Sequence, residues 1–92
     1  MMEKPLNGVI QIDLKTVSSP EELHTLLSDK LGFPEYYGKN LDALYDCLTD
    51  LSGTIVFTGT EHAEETLGRF FTAFRRVCRD AENSSPGLTI LF

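Results

Sequence analysis

Residues 54–57, TIVF, constrain the fold more than any other stretch of this chain. Four β-prone residues stand together without the apolar–polar alternation of a half-wet strand. A continuous run of this kind suits a strand buried on both faces, the habit of parallel sheets. Parallel neighbours cannot be joined by a tight hairpin. They need long crossovers, which usually carry helices. The rest of the chain must then supply further short strands, with helices between them.

It does. Residues 8–14, GVIQIDL, are short and β-branched and read as a first strand. Residues 88–92, LTILF, read as a last, buried one. Ser18-Ser19-Pro20-Glu21-Glu22 is a helix start, with Ser19 as N-cap, Pro20 at the first helical position and Glu22 at the capping-box position. Leu23, Leu26, Leu27 and Leu31 continue that helix, and Gly32 ends it. A loop over 33–39 leads to a second helix over 41–51, capped by Asn40 and broken by Ser52-Gly53. After the turn Thr58-Gly59-Thr60, one long helix is predicted from about Glu61 to Ala81. Glu61, Glu64 and Glu65 suit its N-terminal end, and Arg75, Arg76 and Arg79 its C-terminal end. Its stripe of Leu67, Phe70, Phe71, Phe74, Val77 and Cys78 reads as packing rather than a ligand pocket. Residues 83–87 read as a loop. The order β-α-α-β-α-β predicts an α/β domain spanning 1–92, a three-stranded parallel sheet covered by about three helices with right-handed connections.

The second helix is the odd element. Leu41, Leu44, Leu48 and Leu51 fall on one stripe and form its core face. Asp42, Asp46 and Asp50 fall on another, each one turn beyond the last, with Tyr45 and Thr49 between the stripes. Like charges at i,i+4 repel by about 0.2–0.5 kcal/mol per pair. Asp is also a weak helix former, and towards the C-terminus the helix dipole opposes it. No Lys or Arg lies on this helix to compensate. Two readings fit: an acidic recognition face edged by Tyr36, Tyr37 and Tyr45, or a solvated face on an acidic protein.

With 8 Lys and Arg against 14 Asp and Glu, the formal net charge is -6. That disfavours nucleic acid, whose phosphates need clustered cations, and favours a cationic partner or mere solubility. Residues 1–10 lack a basic and apolar leader, and no stretch approaches the ~20 apolar residues of a membrane span. A cytoplasmic protein is expected. Cys47 and Cys78 then default to reduced thiols, each read as a small buried side chain rather than a reactive one. No metal-ligand spacing, phosphate loop or nucleophile motif is present, so no metal or cofactor is expected and an enzyme is the weaker class. His24 has no catalytic partner nearby in sequence and is expected at the surface or rim.

Residues 34–49, PEYYGKNLDALYDCLT, resemble the signature loop and helix of the barstar family, intracellular inhibitors of bacterial ribonucleases of the barnase type. The flanking strands, the Ser-Pro-Glu-Glu-Leu-His helix and the Phe74-Arg75 stretch agree in order and pattern. The resemblance implies a protein inhibitor with no catalysis and no cofactor, a monomer when free. Its partner would be a basic, extracellular-type ribonuclease whose active site is plugged by residues 34–50 as a mimic of substrate phosphate. It implies that Asp46 enters the phosphate pocket, and that Tyr36, Gly38, Asn40, Asp42, Tyr45 and Thr49 make the surrounding contacts. Charge-steered association is the family's reference behaviour, and the resemblance implies the same sign here without a magnitude.

There are departures. Tyr45 stands where the family archetype has Trp, Lys39 where it has an acid, and Asp50 where it has Gly. Residues 58–66 are short, so one of the family's four helices is expected to be reduced or lost. Arg76, on the last helix, stands where the archetype offers a Glu to the enzyme, which bears on the identity of the target rather than on the mode of inhibition. The alternative reading is a barstar-fold interaction module serving another cationic partner.

Overall fold

The computed structural model describes residues 4–92. Met1, Met2 and Glu3, part of the stretch read for a leader, lie outside them. The chain runs β1 (Lys4–Asp13), α1 (Pro20–Leu31), α2 (Leu41–Thr49), β2 (Leu51–Thr58), α3 (Thr60–Leu67), α4 (Arg69–Ser84) and β3 (Leu88–Leu91). The sheet is parallel, in the order β1-β2-β3, and Ile10, Ile55 and Ile90 stand in register across it. The predicted α/β architecture with a three-stranded parallel sheet agrees with this.

One expectation fails on the central strand. Ile12, Leu51, Ile55, Phe57, Leu88 and Ile90 are buried on one face of the sheet. On the other, Gln11, Asp13, Thr58 and Thr89 are exposed, Thr54 and Val56 are half-buried, and Val9 and Leu91 are 61% and 51% exposed. The reason is topological. The strand order advances in one direction, and right-handed crossovers then lay every helix on the same face. α1 packs on β1, α2 on β2 and α4 on β3. A run of β-branched residues reports strand propensity as well as burial, so TIVF could not tell one covered face from two.

The element ends differ for local reasons. β1 starts at Lys4, ahead of the predicted Gly8, and its register with β2 shifts between Pro5 and Val9, around Gly8 at φ 68. A Pro and a bulge glycine are tolerated there because β1 is an edge strand. Leu51, expected on the leucine stripe of the second helix, instead opens β2 opposite Lys4 and is buried there. Asp50 is the C-cap of α2. Ser19 caps α1 by accepting from the Glu22 amide at 3.1 Å. Glu22 in return accepts from Ser18, at its amide (2.7 Å) and its hydroxyl (2.6 Å), one residue earlier than the capping-box pattern. Those bonds hold its carboxyl below the ordinary carboxylate value. Asn83 and Ser84, expected in a loop, are the last turn of α4. Burial pushes the Cys78 thiol up to about 12, which keeps it inert.

The single long helix predicted from Glu61 is two helices, so the covering layer has four rather than about three. Gly68 separates α3 from α4 at φ 54 and ψ −124, the conformation of the first central residue of a type II′ turn. Its amide still donates to the Glu64 carbonyl at 3.0 Å, and its carbonyl accepts from Phe71 and Thr72. Ala63 and Leu67 before the break, and Phe71, Phe74, Cys78 and Ala81 after it, all reach the core. Arg75 straps the two helices, with its guanidinium 2.8 Å from Glu64 and stacked over Phe92 at 5.1 Å.

A Cβ at Gly68 would meet nothing within 4 Å, so the cost of a side chain there is conformational alone. Gly68→Ala should lower stability by about 1–3 kcal/mol, read as a fall in the urea midpoint at constant slope. Asn, which relieves left-handed helical positions, should not rescue it, because ψ is −124.

Candidate functional site

Residues 33–40 and α2 form one surface beside α4. α1 ends at Gly32, in the left-handed conformation, with its amide on the Ser28 carbonyl at 2.9 Å. The chain turns where the Tyr37 amide donates to the Pro34 carbonyl at 2.9 Å. Asn40 then does two jobs. Its Oδ1 accepts from the Ala43 amide at 2.8 Å, which starts α2, and its Nδ2 donates to the Gly38 carbonyl at 3.3 Å, which holds the loop to the helix.

The two neighbouring tyrosines divide. Tyr36 is 87% exposed, whereas Tyr37 is buried. Tyr37 packs on Phe33 at 4.9 Å, and its hydroxyl lies 2.5 Å from Nδ1 of His24. His24 is therefore not at the surface or rim, as its sequence context suggested, but 2% exposed. The missing partner arrives from 13 residues later, which no local spacing reveals. Burial, and then the charge of Lys39, hold His24 below the ordinary histidine value, and burial raises the Tyr37 hydroxyl far above the usual tyrosine value. The aromatic edge expected from Tyr36, Tyr37 and Tyr45 thus loses Tyr37 to the core.

On α2, Leu44 and Leu48 are buried while Asp42, Asp46 and the capping Asp50 are exposed. The ion pairs among the described residues are Arg75–Glu64 and Arg79–Glu82, so among those residues none of the three aspartates has an ion-pair partner. Tyr45 is half-buried, with its hydroxyl 2.6 Å from the Ser84 hydroxyl at the end of α4. Thr49 donates to the Asp46 carbonyl at 3.0 Å. Asp46 faces an open groove of about 450 Å³ between α2 and the loop, shared with Tyr36, Pro34 and Asp50 over an apolar floor that includes Phe33 and Leu51. Asp42, one turn earlier on the same face, lines a second groove, shared with Arg69, Thr72, Arg76 and Asp80 of α4. Tyr36, Gly38, Asn40, Asp42, Asp46 and Arg76 are thus exposed, while Tyr45 and Thr49 are half-buried and bonded internally. Arg69 is a cation that the sequence pattern did not single out for this surface; its only signal was its spacing of seven residues from Arg76.

The sequence profile of the family described as Barstar (barnase inhibitor) matches residues 7–91. This chain belongs to the barstar family. A curated relative from Bacillus subtilis (strain 168), named "Putative ribonuclease inhibitor YrdF", is 43% identical over 76 residues, which cover 79% of this chain and 84% of that protein. Within this barstar-family protein the match runs from β1 through β3, so the loop, α2 and α4 all lie inside it. Among the described residues no helix is long and apolar enough to cross a membrane.

The cap is the cheapest part of this surface to test. Asn40→Ala should cost about 1 kcal/mol of stability, while Asn40→Asp, which keeps the acceptor at a helix N-terminus, should cost much less. Thermal unfolding of the two variants beside the parent checks this.

Proposed function

We propose that this barstar-family protein inhibits a basic, barnase-type bacterial ribonuclease by lodging residues 34–50 in its active-site cleft. The observation that carries the proposal is the exposed acidic face of α2, without an ion-pair partner among the described residues, beside the exposed ring of Tyr36. The relative's name and the family's description point to the same class of partner. In this reading Asp46 stands in for a substrate phosphate and meets the cationic side chains that would bind one. Tyr36 supplies a flat apolar contact, and Gly38 and Asn40 offer backbone and amide groups at the loop. Asp42, Tyr45, Thr49 and Arg76 frame the contact. The protein acts as a stoichiometric cytoplasmic blocker, a monomer when free, with no turnover of its own. Loss of RNA cleavage when it is mixed with guanyl-specific microbial ribonucleases tests the class.

Arg69 and Arg76 beside Asp42 interrupt the acidic surface and would be repelled by a strongly basic cleft. They favour a second reading, a barstar-fold module recruited to another cationic partner that carries acidic groups opposite them. Affinity capture that returns no ribonuclease, together with no inhibition across the panel, would select it.

Two outcomes follow from the geometry. The association rate should fall steeply between low and high salt while the dissociation rate changes less. Asp46→Ala should leave the free protein as stable or a few tenths of a kcal/mol more stable, because it removes i,i+4 repulsion with Asp42 and Asp50. In the complex the same change should cost about 3–5 kcal/mol, the usual cost of leaving one partner of a desolvated charge pair alone, and it should appear as faster dissociation. A large drop in melting temperature with unchanged dissociation would mean that Asp46 is a structural residue instead.

A further inference from the structure

Among residues 33–39, Tyr37 is the one buried side chain. The rest of the loop, with exposed Tyr36 and Gly38, is held by what holds Tyr37. Its ring is wedged between Phe33 and His24, at 4.9 and 5.6 Å, and its hydroxyl bonds to His24 Nδ1. His24 in turn sits edge-on against Phe70 of α4 at 5.8 Å. The loop is therefore pinned by a polar bond inside an aromatic socket built from α1 and α4. A shallow groove lined by Pro20, Glu21, Lys39, Asn40, Leu41 and Phe70 runs over His24, so solvent lies close to the imidazole.

We propose that His24 is a positioning residue for the partner-contact loop, acting through Tyr37, and that protonating it frees the loop. This rests on the ribonuclease-inhibitor reading for what the loop contacts, though not for the loop's own behaviour.

The charges around the imidazole set the sign. From the loop comes the ammonium of Lys39, and from α1 itself the carboxylate of Glu21; α2 contributes Leu41 and α4 contributes Phe70, both uncharged. An imidazolium in this socket loses its hydration and faces Lys39, with Glu21 as the sole counter-charge lining that groove. Burial and Lys39 accordingly hold His24 below its ordinary value of 6.5. A loop that has lifted away exposes the ring and lets it take up a proton at that ordinary value. The open form binds more protons, so acid favours it. The docked form is at full advantage above pH 6.5 and loses that advantage as pH falls below it.

Amide hydrogen exchange of the free protein, corrected for the intrinsic pH dependence, tests this without any partner. Between pH 7.5 and 5, protection at the Tyr37 amide, which bonds to Pro34, should fall about tenfold or more, while the amides of β2 keep theirs. The fall should begin near pH 6.5, where the ring of the lifted form takes up its proton, and level off at the lower pH where the His24 ring of the docked protein titrates in NMR spectra. His24→Gln keeps a neutral hydrogen-bonding group and should abolish the step. Tyr37→Phe keeps the ring but not the hydroxyl, and should lower loop protection at every pH. With barnase as the probe, the parent's affinity should weaken more than that of His24→Gln over the same pH range, by the factor by which the docked fraction falls. A loop step that survives in His24→Gln, that is complete above pH 6.5, or that β2 shares would overturn the proposal. If barnase is not bound at all, the inhibitor reading fails for that enzyme, while the exchange data still decide whether His24 holds the loop.

Discussion

The burial of Leu44 and Leu48 against the sheet and α4 is the interaction on which the recognition surface depends. α2 has nine residues, too few for a stable isolated helix. It carries aspartates one turn apart and no basic residue in its last turn. Repulsion along the ladder is about 0.2–0.5 kcal/mol per pair, whereas burying one leucine contributes about 1.5–3 kcal/mol. The apolar face wins by a wide margin, and the fold can hold an acidic face in a conformation that its own propensities oppose. The Asn40 cap and the Tyr45–Ser84 hydrogen bond then fix where α2 starts and how its far end meets α4.

The one-directional strand order has a consequence for this surface. With every crossover on one side, α1, α2 and α4 share a layer, and the loop leaving α1 must cross that layer to reach α2. Tyr37 is the side chain that roots it there. The same topology leaves the far face of the sheet to Val9, Gln11, Val56, Thr89 and Leu91, a mixed polar and aliphatic surface without a covering helix. Sharp punctuation at Gly68 completes the layer: α3 ends and α4 begins there, and Leu67 and Phe71 on either side of it are both buried.

Much of this architecture is legible in the residues themselves. Ser19, Gly32 and Asn40 act through neighbours within four positions, so capping rules locate the ends of α1 and the start of α2. Helical periodicity separates the leucine and aspartate faces of α2 because both repeat with the turn. Adjacent Tyr36 and Tyr37 are alike in type, and no period tells which one turns inward; that depended on His24 waiting beneath. The break at Gly68 hid inside an unbroken apolar pattern, since one glycine within a helical period reads as a tolerated defect.

What the sequence by itself determined is therefore local: the caps, the faces and the element types, each set by bonds or spacings of a few residues. The tertiary structure alone decided which face of the sheet is covered, where the last two helices part, and that His24 is the buried partner of Tyr37. It also decided that Asp42 and Arg76, 34 positions apart in the chain, line one groove. Those are relations between segments distant in sequence, and they become definite only when crossover handedness and core packing bring the segments together.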